Sequence, residues 1–178
     1  MNTLKSFALV ATLIFTIGAM AQSAKDEKIM EDAVKAKAAL LEADKGLQRF
    51  FDKSAGYVIF PNVGKGGFII GGASGNGVVY QGGDAIGMAD LKKLNVGLQA
   101  GGQAIIEVIF FETSVDLDRF KQGDFQFSAE TSAVALKSGI AFEAKYKDGV
   151  AVFALPKAGL MADATVGGQK FGFKPFEM

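Results

Sequence analysis

Leu94-Asn95-Val96-Gly97-Leu98-Gln99-Ala100, followed after Gly101-Gly102-Gln103 by Ala104-Ile105-Ile106-Glu107-Val108-Ile109-Phe110, is the stretch on which the fold turns. Leu94, Val96, Leu98 and Ala100 recur every second residue, as do Ala104, Ile106, Val108 and Phe110. A period of two puts each set on one face of an extended chain, so both segments are predicted strands. Outward from them the same grammar predicts strands at Tyr57 to Phe60, Gly67 to Ala73, Gly77 to Tyr80, Phe125 to Ala135 and Ile140 to Tyr146. Asp148-Gly149 suits a tight hairpin turn into a strand from Val150 to Leu155. A last pair is expected at Gly159 to Val166 and Lys170 to Phe173. Fourteen of the 23 glycines lie between Gly56 and Gly102. That density calls for tight corners, bulges and close backbone approaches within a strongly curved sheet.

Before Ala55 the period is helical. Ile29, Met30, Ala33, Val34, Ala36, Leu40 and Leu41 form one stripe in a segment rich in Ala, Lys, Glu and Asp, running from Ser23 to about Asp44. Ser23 and Asp26 can cap its start, and Gly46 can stop it. A shorter helix places Leu47, Phe50 and Phe51 on one side. One more is expected inside the β region, where Thr113 or Ser114 caps a turn holding Val115, Leu117 and Phe120 before Gly123 ends it. The expected class is therefore α+β: N-terminal helices packed on a curved, Gly-rich antiparallel sheet or barrel-like sandwich, with one inserted helix. The stripe is expected to pack on that sheet rather than lie on a membrane.

Residues 1–21 read as a cleavable export signal. Lys5 forms the positive region, Phe7 to Ile17 the apolar run, and Ala19 and Ala21 the small residues before cleavage between Ala21 and Gln22. The run is too short to anchor a chain that must cross roughly 20 apolar residues' worth of bilayer. The expected product is a single domain over residues 22–178, periplasmic or secreted, helical over 23–54 and mainly β over 56–176.

Composition removes several chemistries. There is no Cys and no His, which excludes disulfides, Ser-His and Cys-His nucleophiles and the ordinary zinc and haem ligands. Loss of Lys5 leaves 18 basic against 19 acidic residues, without the surplus that nucleic-acid binding needs. Neither a metal nor a cofactor is expected: Asp116-Leu117-Asp118 lacks the ligand density of a calcium loop. Gly64-Lys65-Gly66-Gly67 fails the nucleotide-loop pattern, with Ile59 in place of its first Gly and Gly66 in place of Ser or Thr. Gly71 to Gly77 opens no helix and so is no dinucleotide site. Glu107, Glu112 and Glu143 are the remaining catalytic carboxylates to consider; a hydrolytic reading requires two of them to meet.

The run Ala55-Gly56-Tyr57-Val58-Ile59-Phe60-Pro61-Asn62-Val63-Gly64-Lys65-Gly66-Gly67-Phe68-Ile69-Ile70-Gly71-Gly72, continuing to Gly75-Asn76-Gly77-Val78-Val79, resembles the opening signature of the SYLF domain family. Gly159-Leu160-Met161-Ala162 with Gly167-Gly168 resembles its closing motif. Tyr80-Gln81-Gly82-Gly83 departs from the family's Trp-containing segment. The resemblance implies a non-enzymatic lipid-binding domain, exported in bacterial members, whose partners are anionic lipids or a membrane surface. Lys65, Lys92, Lys93 and Lys170 are the candidates for lipid phosphates, with Phe171 and Phe173 at the acyl boundary. The alternative is a structural module that uses the same sheet to bind an envelope protein.

Overall fold

A computed structural model describes residues 24–64, 73–93, 104–123, 125, 133–157 and 169–176. The export segment, Lys65, and the expected strands over 67–72, 94–100 and 159–166 lie outside the described residues.

Helix α1 runs through 24–43. A 3-10 turn, Lys45–Leu47, leads into α2, Gln48–Lys53. The strands are β1 (Gly56–Val63), β2 (Ala73–Gln81), β3 (Asp84–Lys93), β4 (Ile105–Phe111), β5 (Val134–Ala135), β6 (Val150–Pro156) and β7 (Gln169–Pro175). Between β4 and β5 lies α3, Ser114–Lys121, and after β5 the single turn α4, Ile140–Glu143. Thr113 and Asp116 close a reciprocal capping box on α3. All seven strands join one sheet in the order β5-β6-β4-β1-β2-β3-β7.

The sheet curls until β7 reaches back to β4 and β1. Strands β4 and β7 are four places apart, which in a flat sheet is roughly 19 Å. Yet Gln169 on β7 donates from Nε2 to Glu107 Oε2 on β4 at 3.1 Å. The ring of Phe60 on β1 lies 6.0 Å from that of Phe171 on β7. Glycines on the inner side make the bend feasible. A Cβ on Gly77 would stand 2.6 Å from Ile59 O and 2.7 Å from the Phe60 ring; one on Gly87 would stand 2.6 Å from the ring of Phe173. Both are closer than carbon atoms approach, so the aromatic rings occupy the space that side chains at these positions would fill.

Curling creates two cores. Inside lie Val58, Phe60, Val79, Leu91, Ile109, Phe111, Val152 and Phe171, closed by Leu117 and Phe120 of α3. On the outer face Tyr57, Ile59, Val78, Val108, Phe110 and Phe153 are covered by Ala33, Ala36 and Leu40 of α1 and by Leu47 and Phe50. The α1 stripe therefore packs on the sheet. Strand β1 is buried at every position but Asn62 because both of its faces are covered.

Three expectations are corrected. Among the described residues the sheet does not close into a barrel, since β5 and β7 are its two edges. It is not wholly antiparallel, because β5 runs parallel to β6; of the strand expected from Phe125 to Ala135, the described part is Val134–Ala135. Residues 140–143 form α4 in place of a strand. Gly139 precedes α4 in the left-handed region, φ +86°, and turns the chain into it. Strand β3 was not expected: Ala85, Gly87, Ala89 and Asp90 are poor strand formers. It exists because Gly82-Gly83, both at positive φ, fold it back onto β2.

Candidate functional site

The most exposed aromatic among the described residues is Phe142, 64% accessible, and Ile140 beside it is 39% accessible. Both belong to α4, whose remaining apolar residue, Ala141, is buried in the outer core. A four-residue helix cannot hold itself together, so its order comes from outside. The buried Asp44, at the end of α1, supplies it: Oδ2 accepts from Ala141 N at 2.7 Å while Oδ1 accepts from Gly46 N at 2.8 Å. On the other side Arg49 Nη2 donates to Ala141 O at 2.8 Å and to Ala144 O. The same guanidinium rests 4.7 Å over the Phe50 ring. The Phe142 ring edge passes over Gly46, where a Cβ would stand only 3.0 Å from it. The turn is therefore rigid, and it holds two large apolar side chains out toward solvent.

Its surroundings are mixed in charge with a small basic excess. Lys45, Arg49, Lys137, Lys145 and Lys147 are exposed, as are the acids Glu112, Glu143 and Asp148. Tyr146 behind the turn has a hydroxyl pushed up to about 12, first by burial and then by the charge of Glu112, with Arg49 opposing.

The residues expected to bind lipid are sorted by strand alternation. Lys92 on β3 and Lys170 on β7 are directly paired in register, and Met88 pairs with Lys174 two pleats further along, with Asp90 and Gly172 between. The three lysines share the outer face of the β3-β7 edge, and all three are exposed. Asp90 lies 3.9 Å from the Lys92 ammonium. Lys170 and Lys174 have no ion pair among the described residues. Lys93 pairs by its backbone with Gln169. Phe171 and Phe173 alternate with these lysines and so point the other way: Phe171 is buried in the inner core, and Phe173 packs against it. Lysines and aromatics of β7 are thus not presented on one surface. Lys174, Ile140 and Phe142 are the candidates that the sequence reading missed. The alternation that marks Lys170 also marks Lys174, whereas nothing local announces α4.

Glu107 meets neither of the other two carboxylates. Glu107 is buried on the inner face. Glu112 follows five residues on, just past the end of β4, about 16 Å away at extended spacing, beyond the separation of glycosidase pairs. Glu143 belongs to α4, on the opposite side of the sheet. An open groove of about 410 Å³ between α1 and the β4 and β6 ends has an apolar floor of Ala36, Ala39, Ile106 and Leu155. Its two lysines are engaged: Lys35 with Glu31 at 2.6 Å, and Lys157 with Asn62 Oδ1.

No protein-family model matches the chain. Among curated proteins it is similar to Beta cell expansion factor A of Aeromonas veronii, 32% identical over 83 residues. The matched region is 46% of this chain and 32% of that protein, so the chain spans about a third of the length of its relative.

Proposed function

We propose that this chain is a non-enzymatic domain of the SYLF family that binds anionic membrane surfaces in the bacterial envelope, with α4 as its contact. The observation that carries the reading is the pair Ile140 and Phe142, held outward on a clamped turn among five basic side chains. Ile140 and Phe142 together make a small exposed apolar patch rimmed by charged side chains, the arrangement an interaction site uses. A bilayer interface accepts Phe and Ile a few ångströms below the headgroups while lysines remain at the phosphates. Phe142 is 64% and Ile140 39% exposed, so covering each gives only part of the about 1.5–3 kcal/mol of a full burial, and each lysine near an anionic leaflet adds about 1 kcal/mol. Neither suffices alone; together they reach a stable surface interaction. The export signal expected over residues 1–21 supports an envelope location, and the similarity to Beta cell expansion factor A is compatible with the family assignment.

Co-sedimentation with vesicles of phosphatidylglycerol and phosphatidylcholine, against pure phosphatidylcholine, tests the reading. Binding should require phosphatidylglycerol, weaken with salt, and fall at least about tenfold in the double variant Ile140→Ala, Phe142→Ala, as the loss of buried apolar area requires. Absence of wild-type binding at low salt would refute it.

A further inference from the structure

The row Lys92, Lys170, Lys174 is not part of the surface that carries α4, and the curl of the sheet shows where it points. The inner sides of β4 and β7 touch through Glu107 and Gln169 at 3.1 Å, and beside them Phe171 of β7 packs on Phe60 of β1 and Phe120 of α3. Their outer sides therefore face away from each other. Helices α1 and α2 and the α4 turn cover the outer side of β6, β4, β1 and β2 and reach Ala85 and Met88 of β3; among the described residues, Lys92, Lys170 and Lys174 stand beyond them, exposed on the outer side of β3 and β7. Two strand layers about 10 Å apart and a helix layer about 10 Å thick separate the two surfaces by roughly 20 Å. That is more than twice the Debye length of about 8 Å at physiological salt, so a bilayer in contact with α4 does not neutralise the lysine row.

We infer that the chain bridges two anionic bilayers, one docked at α4 and the second held by Lys92, Lys170 and Lys174. This rests on the membrane reading above. The row suits a charged surface rather than an apolar one: Ser74 and Asn76 flank it on β2, opposite Lys92 and Asp90, and Asp90 is the one acid within its registers. Three lysines bind weakly, but a vesicle already coated through α4 presents many such rows at once. Multivalency then turns a weak contact into a lasting one. The inward turn of Phe171 and Phe173 leaves this second contact purely electrostatic, so it should respond to salt more steeply than the first.

Light scattering and lipid co-sedimentation, run on the same phosphatidylglycerol and phosphatidylcholine vesicles, test it. The wild-type chain should bind and cluster vesicles, and clustering should disappear at a salt concentration that leaves binding in place. The triple variant Lys92→Gln, Lys170→Gln, Lys174→Gln should still sediment with vesicles while its clustering rate falls at least tenfold. Wild-type binding without clustering would overturn the bridge and leave the membrane reading intact. So would undiminished clustering by the triple variant, which would assign clustering to self-association. No wild-type binding at all would remove both.

Discussion

Replacing Asp44 by Asn alters one atom of a buried side chain and tests whether α4 owes its order to a residue 97 positions away. Asp44 is 2% exposed, and each carboxylate oxygen accepts one backbone N–H: Oδ1 that of Gly46 at 2.8 Å, Oδ2 that of Ala141 at 2.7 Å. Asn keeps a single acceptor, so one N–H must face the new NH2 group, donor against donor. A hydrogen bond to a charged group contributes about 1.5–3 kcal/mol, and stranding its buried partner costs about 1–3 kcal/mol. Because these overlap, the expected loss is about 2–4 kcal/mol. For a domain of this size that lowers Tm by roughly 5–15 °C. Urea unfolding followed by circular dichroism should show a lower midpoint with an unchanged slope, the mark of altered stability rather than altered compactness. Vesicle binding should weaken as well, since Ile140 and Phe142 lose their fixed presentation. A loss below about 1 kcal/mol would mean that these bonds do not support the turn, and unchanged vesicle binding would mean that its order does not matter.

Gly77→Ala places a methyl group 2.6 Å from Ile59 O and 2.7 Å from the Phe60 ring; overpacking of this kind should cost about 1–3 kcal/mol, read as a lower urea midpoint. A neutral outcome would show that the curl does not depend on glycine there. Tyr146 has a buried hydroxyl without a hydrogen-bond partner among the described residues, so Tyr146→Phe should change stability at neutral pH by less than about 0.5 kcal/mol. The same variant tests alkaline behaviour. With its hydroxyl raised from 10.0 to about 12, the folded chain retains a proton that the unfolded chain releases, so stability declines as pH rises between those values. Tyr80, raised by burial and then by Tyr57, acts in the same direction. Ultraviolet titration should show the highest tyrosine midpoint vanish in Tyr146→Phe; its persistence would assign it to another tyrosine.

How far the fold could be read in advance follows from the range of the interactions that set each element. Helix α1 carries its period and strands β1, β4 and β6 their nearly continuous apolar runs in consecutive residues, and α3 carries its cap in Thr113 and Asp116. Strand β3 has little period of its own and is a strand because β2 and β7 hydrogen-bond to it on both sides. Ile140, Phe142, Ala144 and Tyr146 alternate as a strand would, yet Ala141 is the residue buried and Phe142 the one exposed. Asp44 and Arg49 decide this by capturing the backbone of 141–144. The candidate site was legible in the same measure: Lys92 and Lys170 do stand side by side, while Phe171 and Phe173 belong to the core.

From its residues alone the chain is an α+β protein without histidine or cysteine chemistry, with a helical start and a glycine-dense β region. These are properties of composition and of periods two and 3.6, which act over a few residues and need no partner. Tertiary structure decided which way the sheet bends, which side of β7 faces inward, and that α4 holds an aromatic out in solvent. Each depends on contacts between residues far apart in the chain: Glu107 with Gln169, Phe60 with Phe171, and Asp44 with Ala141. Alternation places residues on opposite faces of a strand, but only packing determines which of those faces meets water.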